Sequence, residues 1–448
     1  MTPPTPITPP TLPTPITLPT LVLVESNTSG TGRLFARRAR ELGARPLLLA
    51  EDPGRYAYAR DDGLDVVRAD TSTPAAVLAA LAALPGGPPA GLTTSSDYFV
   101  PVAAAAAAAL GLPGPDPEAV ARCRHKGRQR AALAAGGVPV AAHSLVTSVE
   151  AALDAAGRTG FPVVLKPADG SGSTGVRLCT TREETAAHAA RLLARTHNER
   201  GMPTAPGFLV EEYVDGPEFS VEVFAHTPVT VVAKHLGAAP HFVETGHDVP
   251  APLPPARAGL LAETAVLAVK ALGLGFGAAH AELRLGPAGP VLIEVNPRLA
   301  GGMIPELIRS ALSVDLVRAQ VAAALGRHEE PEPSTALHSS LRFLAVDTPS
   351  YLAGPPDGPP SGSPDGPPDG PPDGPPDGAA PYGTEARHVT EQTLTGRRGE
   401  LLVPHHDHRD RVGHVIATAP AAEDAARAAD TGLARLRTAL RPAEEATR

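Results

Sequence analysis

Short apolar runs alternate with longer amphipathic stretches from the first structured residues onward. Residues 21–24, 46–50, 65–68 and 91–94 read as strands, and 33–42, 74–84 and 98–110 as the helices between and after them. Strand and helix in alternation predict an open parallel sheet. Ahead of this, residues 1–19 repeat Pro-Thr-Pro and Pro-Ile-Thr, a tail that cannot pack and favours extended conformations. The polar turn Ser26-Asn27-Thr28-Ser29-Gly30-Thr31-Gly32 lacks a GxGxxG spacing, so it reads as a structural or substrate-facing loop and not a dinucleotide site.

Pro113 to Pro117 marks a change of unit. Strand 161–167 ends on Lys166 and runs into Ala168-Asp169-Gly170-Ser171-Gly172-Ser173-Thr174-Gly175, with a second strand at 176–178. Strand, glycine loop, strand is a hairpin; a P-loop needs a helix after the loop and a GxxxxGK[ST] spacing. A helix at 182–195, strands at 208–212, 218–224 and 229–234, a helix at 257–272 and strands at 278–285 and 290–295 complete an α+β unit. Residues 304–325 are helical in character, and 341–346, 387–394, 401–403 and 412–418 are strand-like. A closing helix at 421–439 takes its cap among Thr418 to Pro420. The expected division is 1–19 tail, 20–117 α/β domain, 118–330 central unit and 331–442 small α+β unit. The last is interrupted by a disordered Asp-Gly-Pro-Pro insert at 354–378.

A chain of 448 residues with 42% hydrophobic positions supports about two to four cores. A formal charge of −9 gives no electrostatic reason to expect nucleic acid or an anionic membrane as partner. No segment reads as a signal peptide or membrane span, and Cys123 and Cys179 have no metal or redox spacing, so a cytoplasmic setting is expected. Only Lys126, Lys166, Lys234 and Lys270 are lysines; the other 35 basic residues are arginine. Where arginine serves generally, a remaining lysine is more often needed as a compact point charge.

Glu282 and Glu294 lie on successive apolar strands on either side of a turn at Gly286 to Gly289. A hairpin brings them face to face, where they repel unless a cation sits between them. Magnesium held by these carboxylates, by a side-chain carbonyl such as Asn296 and by phosphate oxygens removes the penalty; a solvated pair of unrelated acids is the alternative. Arg298, after Pro297, is placed to aim a guanidinium at phosphate or carboxylate oxygens, and Gly301-Gly302 either admits a ligand to the backbone or caps a turn. Lys166 and Lys126 can meet ATP phosphates, and the glycine loop with Ser171, Gly172 and Ser173 offers backbone donors. Glu211 can accept from an adenine amino group and Glu218 from ribose; one of Glu211 and Glu212 otherwise faces solvent. His405-His406-Asp407-His408 reads as an exposed polar loop in preference to a zinc site.

In order along the chain, Lys126, Lys166 with its loop, Glu211 with Glu218, Glu282 and Glu294-Val295-Asn296-Pro297-Arg298 resemble the ATP-grasp superfamily over about residues 21 to 330. The resemblance implies an ATP-grasp fold, α/β and α+β, with ATP and Mg2+ (or Mn2+) bound between two subdomains. It implies that Lys126 and Lys166 bind phosphates, that Glu211 with Glu212, Tyr213 and Val214 receives adenine, and that Glu218 holds ribose. Glu282, Glu294 and Asn296 would ligate the metal, and Arg298 would steady the transferring phosphate. The segment 241–251, with Glu244 and His247, and Gly301-Gly302-Met303-Ile304-Pro305 resemble the L-amino-acid ligase branch. There Glu244 would hold a substrate ammonium in a loop and His247 would assist at the phosphate or nucleophile; His247 can equally be a loop histidine without a role. The implied reaction joins a small carboxylate or amino acid to an amine through an acyl phosphate, releasing ADP and phosphate. An ATP-grasp carboxylase, a nucleotide-precursor ligase and a non-catalytic ATP-binding protein are the competing readings. A homodimer is the commonest symmetric assembly.

Overall fold

The computed structural model describes residues 18–28, 31–85, 87–198, 200–353 and 388–443; the Pro/Thr tail up to residue 17 and the Asp-Gly-Pro-Pro insert lie outside the described residues. Four sheets organise the chain. Strands β1 (Thr20–Val24), β2 (Arg45–Ala50), β3 (Asp65–Arg68) and β4 (Gly91–Thr93) form a parallel sheet in the order β3-β2-β1-β4. Leu21 to Val24 and Leu47 to Ala50 are buried on both faces, as a parallel sheet covered by helices requires. The predicted alternation is realised here almost residue for residue.

Strands β5 (His143–Val146), β6 (Val163–Pro167), β7 (Arg177–Cys179) and β8 (Phe208–Glu212) make a small antiparallel sheet ordered β5-β8-β6-β7. It carries the glycine loop between β6 and β7, backed by helices Val149–Thr159 and Arg182–Ala194.

The largest sheet has eight antiparallel strands. These are β9 (Glu218–Phe224), β10 (Thr227–Leu236), β11 (Glu244–Val249), β12 (Ala278–Gly286), β13 (Gly289–Asn296), β14 (His338–Ala345), β16 (Val389–Leu394) and β18 (Arg411–Ala419). Their order is β13-β12-β9-β10-β11-β14-β18-β16. A short sheet of β17 (Leu401–Leu402), β15 (Ser350–Leu352) and β19 (Leu440–Pro442) closes the C-terminal end. The sheet is therefore continuous across residue 330, because β11 pairs with β14 from Gly246↔Arg342 to Val249↔Ser339.

Period-two alternation sorts β9, β12 and β13 into two faces. Phe219, Val221, Val223, Ala281, Leu283 and Val295 enter the core beneath helix Pro255–Ala271. Their neighbours Glu218, Ser220, Glu222, His280, Glu282, Arg284, Glu294 and Asn296 fall on the opposite face. That face points to the small sheet, and it holds the chemistry.

Several expectations need correction. The segment with Glu244 and His247 is a strand, β11, and not a loop: both its edges are hydrogen-bonded in the sheet. The helix predicted over 304–325 is two, Ile304–Leu312 and Leu316–Ala324. Ser313 adopts a left-handed conformation and Asp315 caps the second helix by accepting from the Arg318 N–H. The closing helix, Ala422–Arg437, begins after Ala421 with no side-chain cap, so the expected cap among 418–420 is not used. No helix among the described residues is long and apolar enough to cross a membrane.

Candidate active site

The face-to-face pair is present: Glu282 and Glu294 are register partners across β12 and β13. A regular ladder counted from Gly286↔Gly289 would set Glu282 opposite Ile293. A bulge between Glu282 and Leu283 in the register leaves Ile293 extra and moves Glu294 into place. The Ile293 carbonyl turns to Arg130, which donates to it through a guanidinium N–H, and to Lys166 Nζ at 3.4 Å.

Helix Lys126–Ala135 sets two cations one turn apart on one face. Lys126 Nζ donates to Glu294 Oε1 at 3.0 Å and to the Gly170 carbonyl at 3.3 Å. Arg130, fully buried, donates through Nε to Glu211 Oε1 at 2.7 Å. Between them Gln129 pins the helix to β13, its amide donating to the Val295 carbonyl at 2.7 Å and accepting from the Val295 N–H at 3.1 Å.

Lys166, at the end of β6, pairs with Glu211 Oε2. Burial would by itself raise the Glu211 carboxyl; Arg130 and Lys166 instead hold it down, to about 2. Burial lowers the Lys166 ammonium, against the pull of Glu211. Both oxygens of Glu211 are thus engaged inside the protein, where it anchors Lys166 and Arg130. Glu212 is the exposed member of the pair, accepting from the Ala142 N–H at 3.3 Å.

Lys234, on β10, is the residue that sequence reasoning passed over. Its ammonium lies 2.8 Å from Glu218, 3.0 Å from Glu244 and 3.0 Å from Glu282. Burial opposes its charge, but three carboxylates hold the ammonium well above its ordinary range. Glu218 also accepts from Arg284 Nε at 3.0 Å, and Arg284 donates to the Val214 carbonyl at 2.9 Å. Both Glu218 oxygens are occupied, which leaves only their outer lone pairs for a ribose. The Arg284 guanidinium lies 5.3 Å from the Tyr213 ring and 5.1 Å from that of Phe242. Glu282 accepts from Lys234 and stands 3.0 Å from His280 Nε2; together these keep its carboxyl ionised despite burial.

Arg298 donates through Nε to Asp97 Oδ1 at 3.1 Å, while Arg124 holds the other Asp97 oxygen at 2.7 Å. Asp97, in a short 3-10 turn after β4, was not singled out from sequence; burial opposes its charge, and the two arginines keep it ionised.

These side chains line two adjoining cavities. The narrower holds Lys126, Lys166, the 169–174 loop, Glu211 to Val214, Glu218, Lys234, Arg284, Glu294 and Asn296. The wider chamber is bounded by Asp97 and Tyr98, Arg298 to Met303, Phe343, His408, Arg411 and His414. Ser171, Gly172, Glu244, Glu282 and Arg298 line both. His247 reaches neither: it is fully buried on β11, its ring 5.7 Å from Phe343, and both ring nitrogens lack a hydrogen-bond partner. Burial, aided by Arg411 and Lys234 against Glu244, lowers its imidazole to about 3. Its Nε2 is 2.7 Å from where a Cβ on Gly302 would stand, so glycine at 302 lets the ring approach the chamber wall.

The donor set of Glu282, Glu294 and Asn296 is all oxygen, as a hard divalent cation requires. Among the described residues no three His, Cys, Asp or Glu side chains gather as a ready-made metal cluster. Two carboxylates and an amide therefore fit a cation that phosphate oxygens complete.

Known proteins share sequence and fold with this chain. The ATP-grasp domain family matches residues 159–306, and the family described as L-amino acid ligase C-terminal domain 2 matches residues 384–441. Uncharacterized protein y4rH of Sinorhizobium fredii is 34% identical over 409 residues, covering 90% of this chain and 80% of that protein. Carnosine synthase 1 of Gallus gallus is 34% identical over 318 residues, 64% of this chain but only 33% of the larger enzyme. The crystal structure of L-amino acid ligase from Bacillus licheniformis superposes with a TM-score of 0.72 at 19% identity, covering 94% of this chain and 98% of that one. The chain belongs to the ATP-grasp superfamily, in its L-amino-acid ligase branch. It is accordingly an ATP-dependent, ADP-forming carboxylate–amine ligase.

Proposed function

We propose that the substrates are an amino acid or other small carboxylate and an amine or second amino acid, with ATP and Mg2+ in the narrower cavity. The observation that carries this is the shared wall: Ser171, Gly172, Glu244, Glu282 and Arg298 line the narrow cavity and the wide chamber together. A terminal phosphate lying along that wall meets a carboxylate arriving from the chamber.

In this reading Lys126 and Lys166 bind phosphate oxygens, and Ser171, Gly172 and Ser173 cover them with backbone donors. Glu212, Tyr213 and Val214 border the adenine, Glu218 the ribose. Glu282, Glu294 and Asn296 hold the magnesium, which neutralises phosphate charge when bound. The substrate carboxylate oxygen attacks the γ-phosphorus, the bond to the β-phosphate breaks, and ADP leaves. Arg298 faces the acyl phosphate so formed. The amine nitrogen then attacks the acyl carbon, phosphate departs, and the nitrogen loses its proton. Glu244, already holding the cations Lys234 and Arg411, is suited to exchange one of them for a substrate ammonium. His247 backs that position from behind Gly302.

An ADP-release screen over pooled amino acids and small carboxylates, with products identified by mass, tests the proposal. Release stimulated by a pair, with a product heavier by the condensed amine, is the expected result. Turnover that no pair stimulates would remove the amino-acid assignment, and stimulation by bicarbonate would favour a carboxylase. No nucleic-acid or membrane partner enters this scheme. The buried free thiols of Cys123 and Cys179 suit a cytoplasmic setting, and a homodimer is proposed for light scattering to check.

A further inference from the structure

The His405-His406-Asp407-His408 segment has no part in the reaction described above, yet the fold gives it a fixed shape and a target. Buried Asp410 accepts from the N–H groups of His405 and His406 at 2.6 and 2.7 Å, and Asp407 accepts from Arg409 Nε at 2.9 Å. The turn so closed sets His408 against the glycine loop. Its backbone N–H lies 3.4 Å, and its Nδ1 3.3 Å, from the Gly172 carbonyl. Donation from the ring requires the tautomer protonated at Nδ1. A Cβ on Gly172 would stand 2.4 Å from that Nδ1, at a backbone φ of +63°. Next to this contact the rings of His406 and His241 stack at 4.3 Å and 7°, joining the turn to the 237–243 segment. Pro240 of that segment in turn accepts from the Leu178 N–H on β7.

Two further donors meet carbonyls of the same loop. Lys126 Nζ reaches Gly170 at 3.3 Å and His188 Nε2 reaches Gly175 at 2.9 Å. Three carbonyls of one short loop are thus each drawn to a side chain from a different element. Among the described residues, the N–H groups of Ser171, Gly172 and Ser173 meet no acceptor within the protein. A phosphate is bound by N–H groups and repelled by carbonyls, so a loop whose carbonyls are held elsewhere is left with its amides for an anion.

We propose that His408 is a positioning residue: from the C-terminal unit it fixes the glycine loop through the Gly172 carbonyl, and so keeps water from the acyl phosphate. This rests on the reading of the loop as the phosphate cover. Gly172 lines both cavities and His408 lines the chamber, so the contact lies at the seam where water would enter.

The test compares wild type, His408→Ala and His408→Asn, whose side-chain amide can still donate to a carbonyl. Wild type is expected to release one ADP per amide formed. His408→Ala is expected to release several-fold more ADP than amide, and His408→Asn to recover most of the coupling. Hydrogen exchange across 168–178 with magnesium ATP bound gives a second readout that needs no product. There His408→Ala is expected to exchange about tenfold faster than wild type. Unchanged exchange overturns the positioning role, and faster exchange with intact coupling overturns the sealing role. If wild type forms no amide, the ligase proposal fails and the exchange comparison still decides His408. Should His408→Ala fail to fold, His408→Leu, which likewise lacks a donor, replaces it in the same comparison.

Discussion

The narrow cavity and the wide chamber share a wall but treat their polar groups differently. In the narrow one every lysine has a counter-charge: Lys126 with Glu294, Lys166, beside Arg130, with Glu211, and Lys234 with Glu218, Glu244 and Glu282. Behind the chamber wall, His247 makes no hydrogen bond through either ring nitrogen, its Nε2 standing 3.6 Å from Glu244, and the buried Nε of Arg411 lacks a hydrogen bond. Phosphates and a cation arrive as a fixed set in every turnover, and a paired network receives them by exchanging partners among groups already in place. Unpaired buried groups are costly, and they are retained where a ligand supplies the missing partner. The contrast suggests one cavity built for an invariant ligand and another completed by its substrate.

Removing Glu294 is the most direct way to break this picture. Glu294→Ala is expected to lower the rate by on the order of a thousandfold or more, read as ADP release at saturating substrates. Substantial retained turnover would refute its metal role. Lys234→Met comes next, because it removes the cation that three half-buried carboxylates share, leaving Glu218 to Arg284, Glu244 to Arg411 and Glu282 to His280. A loss of about 3–5 kcal/mol in denaturant unfolding is expected, partly recovered when magnesium ATP is added. Unchanged stability would show that the three carboxylates do not depend on it.

The Glu211 cluster sharpens the comparison through pH. Its carboxyl titrates near 2 in the folded chain and near 4.5 ordinarily, so the unfolded chain takes up the proton first as pH falls. Its contribution to stability is present above about pH 4.5 and lost toward pH 2. Glu211→Gln is expected to lower stability at neutral pH and to flatten that acid limb; an unaltered limb would assign the loss to other groups. The smallest effect is expected on the chamber side. His247→Asn should reduce the rate by about tenfold, by loosening the packing behind Gly302, without moving the acid limb of the activity profile above pH 5. A ring held to about 3 is already neutral there, so a shift of that limb would show His247 titrating in catalysis.

Local features of the chain were readable in proportion to how local they are. The parallel sheet was legible because β1 to β4 are apolar runs punctuated by turns and amphipathic helices. The Glu282 and Glu294 pair was legible from two apolar strands about one turn, although the bulge that completes it leaves no mark in composition. Lys234 carried one faint signal, its rarity as a lysine; its three carboxylates come from β9, β11 and β12, and no spacing joins them. Arg130 carried none, being one of 35 arginines on an ordinary helix. His408 sat in a motif that was noticed, but the carbonyl it meets lies 236 residues earlier. The Glu244 segment reads as a loop only through the family resemblance, and no turn in its own residues requires one. Gly246 is instead needed because a Cβ there would come 2.4 Å from the Leu341 carbonyl on the adjoining strand.

The single extra residue at Ile293 acts as a vernier between two parts of the chain. Lengthening the Gly286 to Gly289 turn, or the insert after Ala353, adds chain at a surface and leaves the metal-facing pair aligned. Deleting Ile293 would restore a regular ladder with Glu294 still opposite Glu282, but it would remove the bulge. The same deletion would withdraw the carbonyl on which Arg130 and Lys166 both converge. Length variation among relatives should therefore be free in those connections and absent from the bulged segment around Ile293.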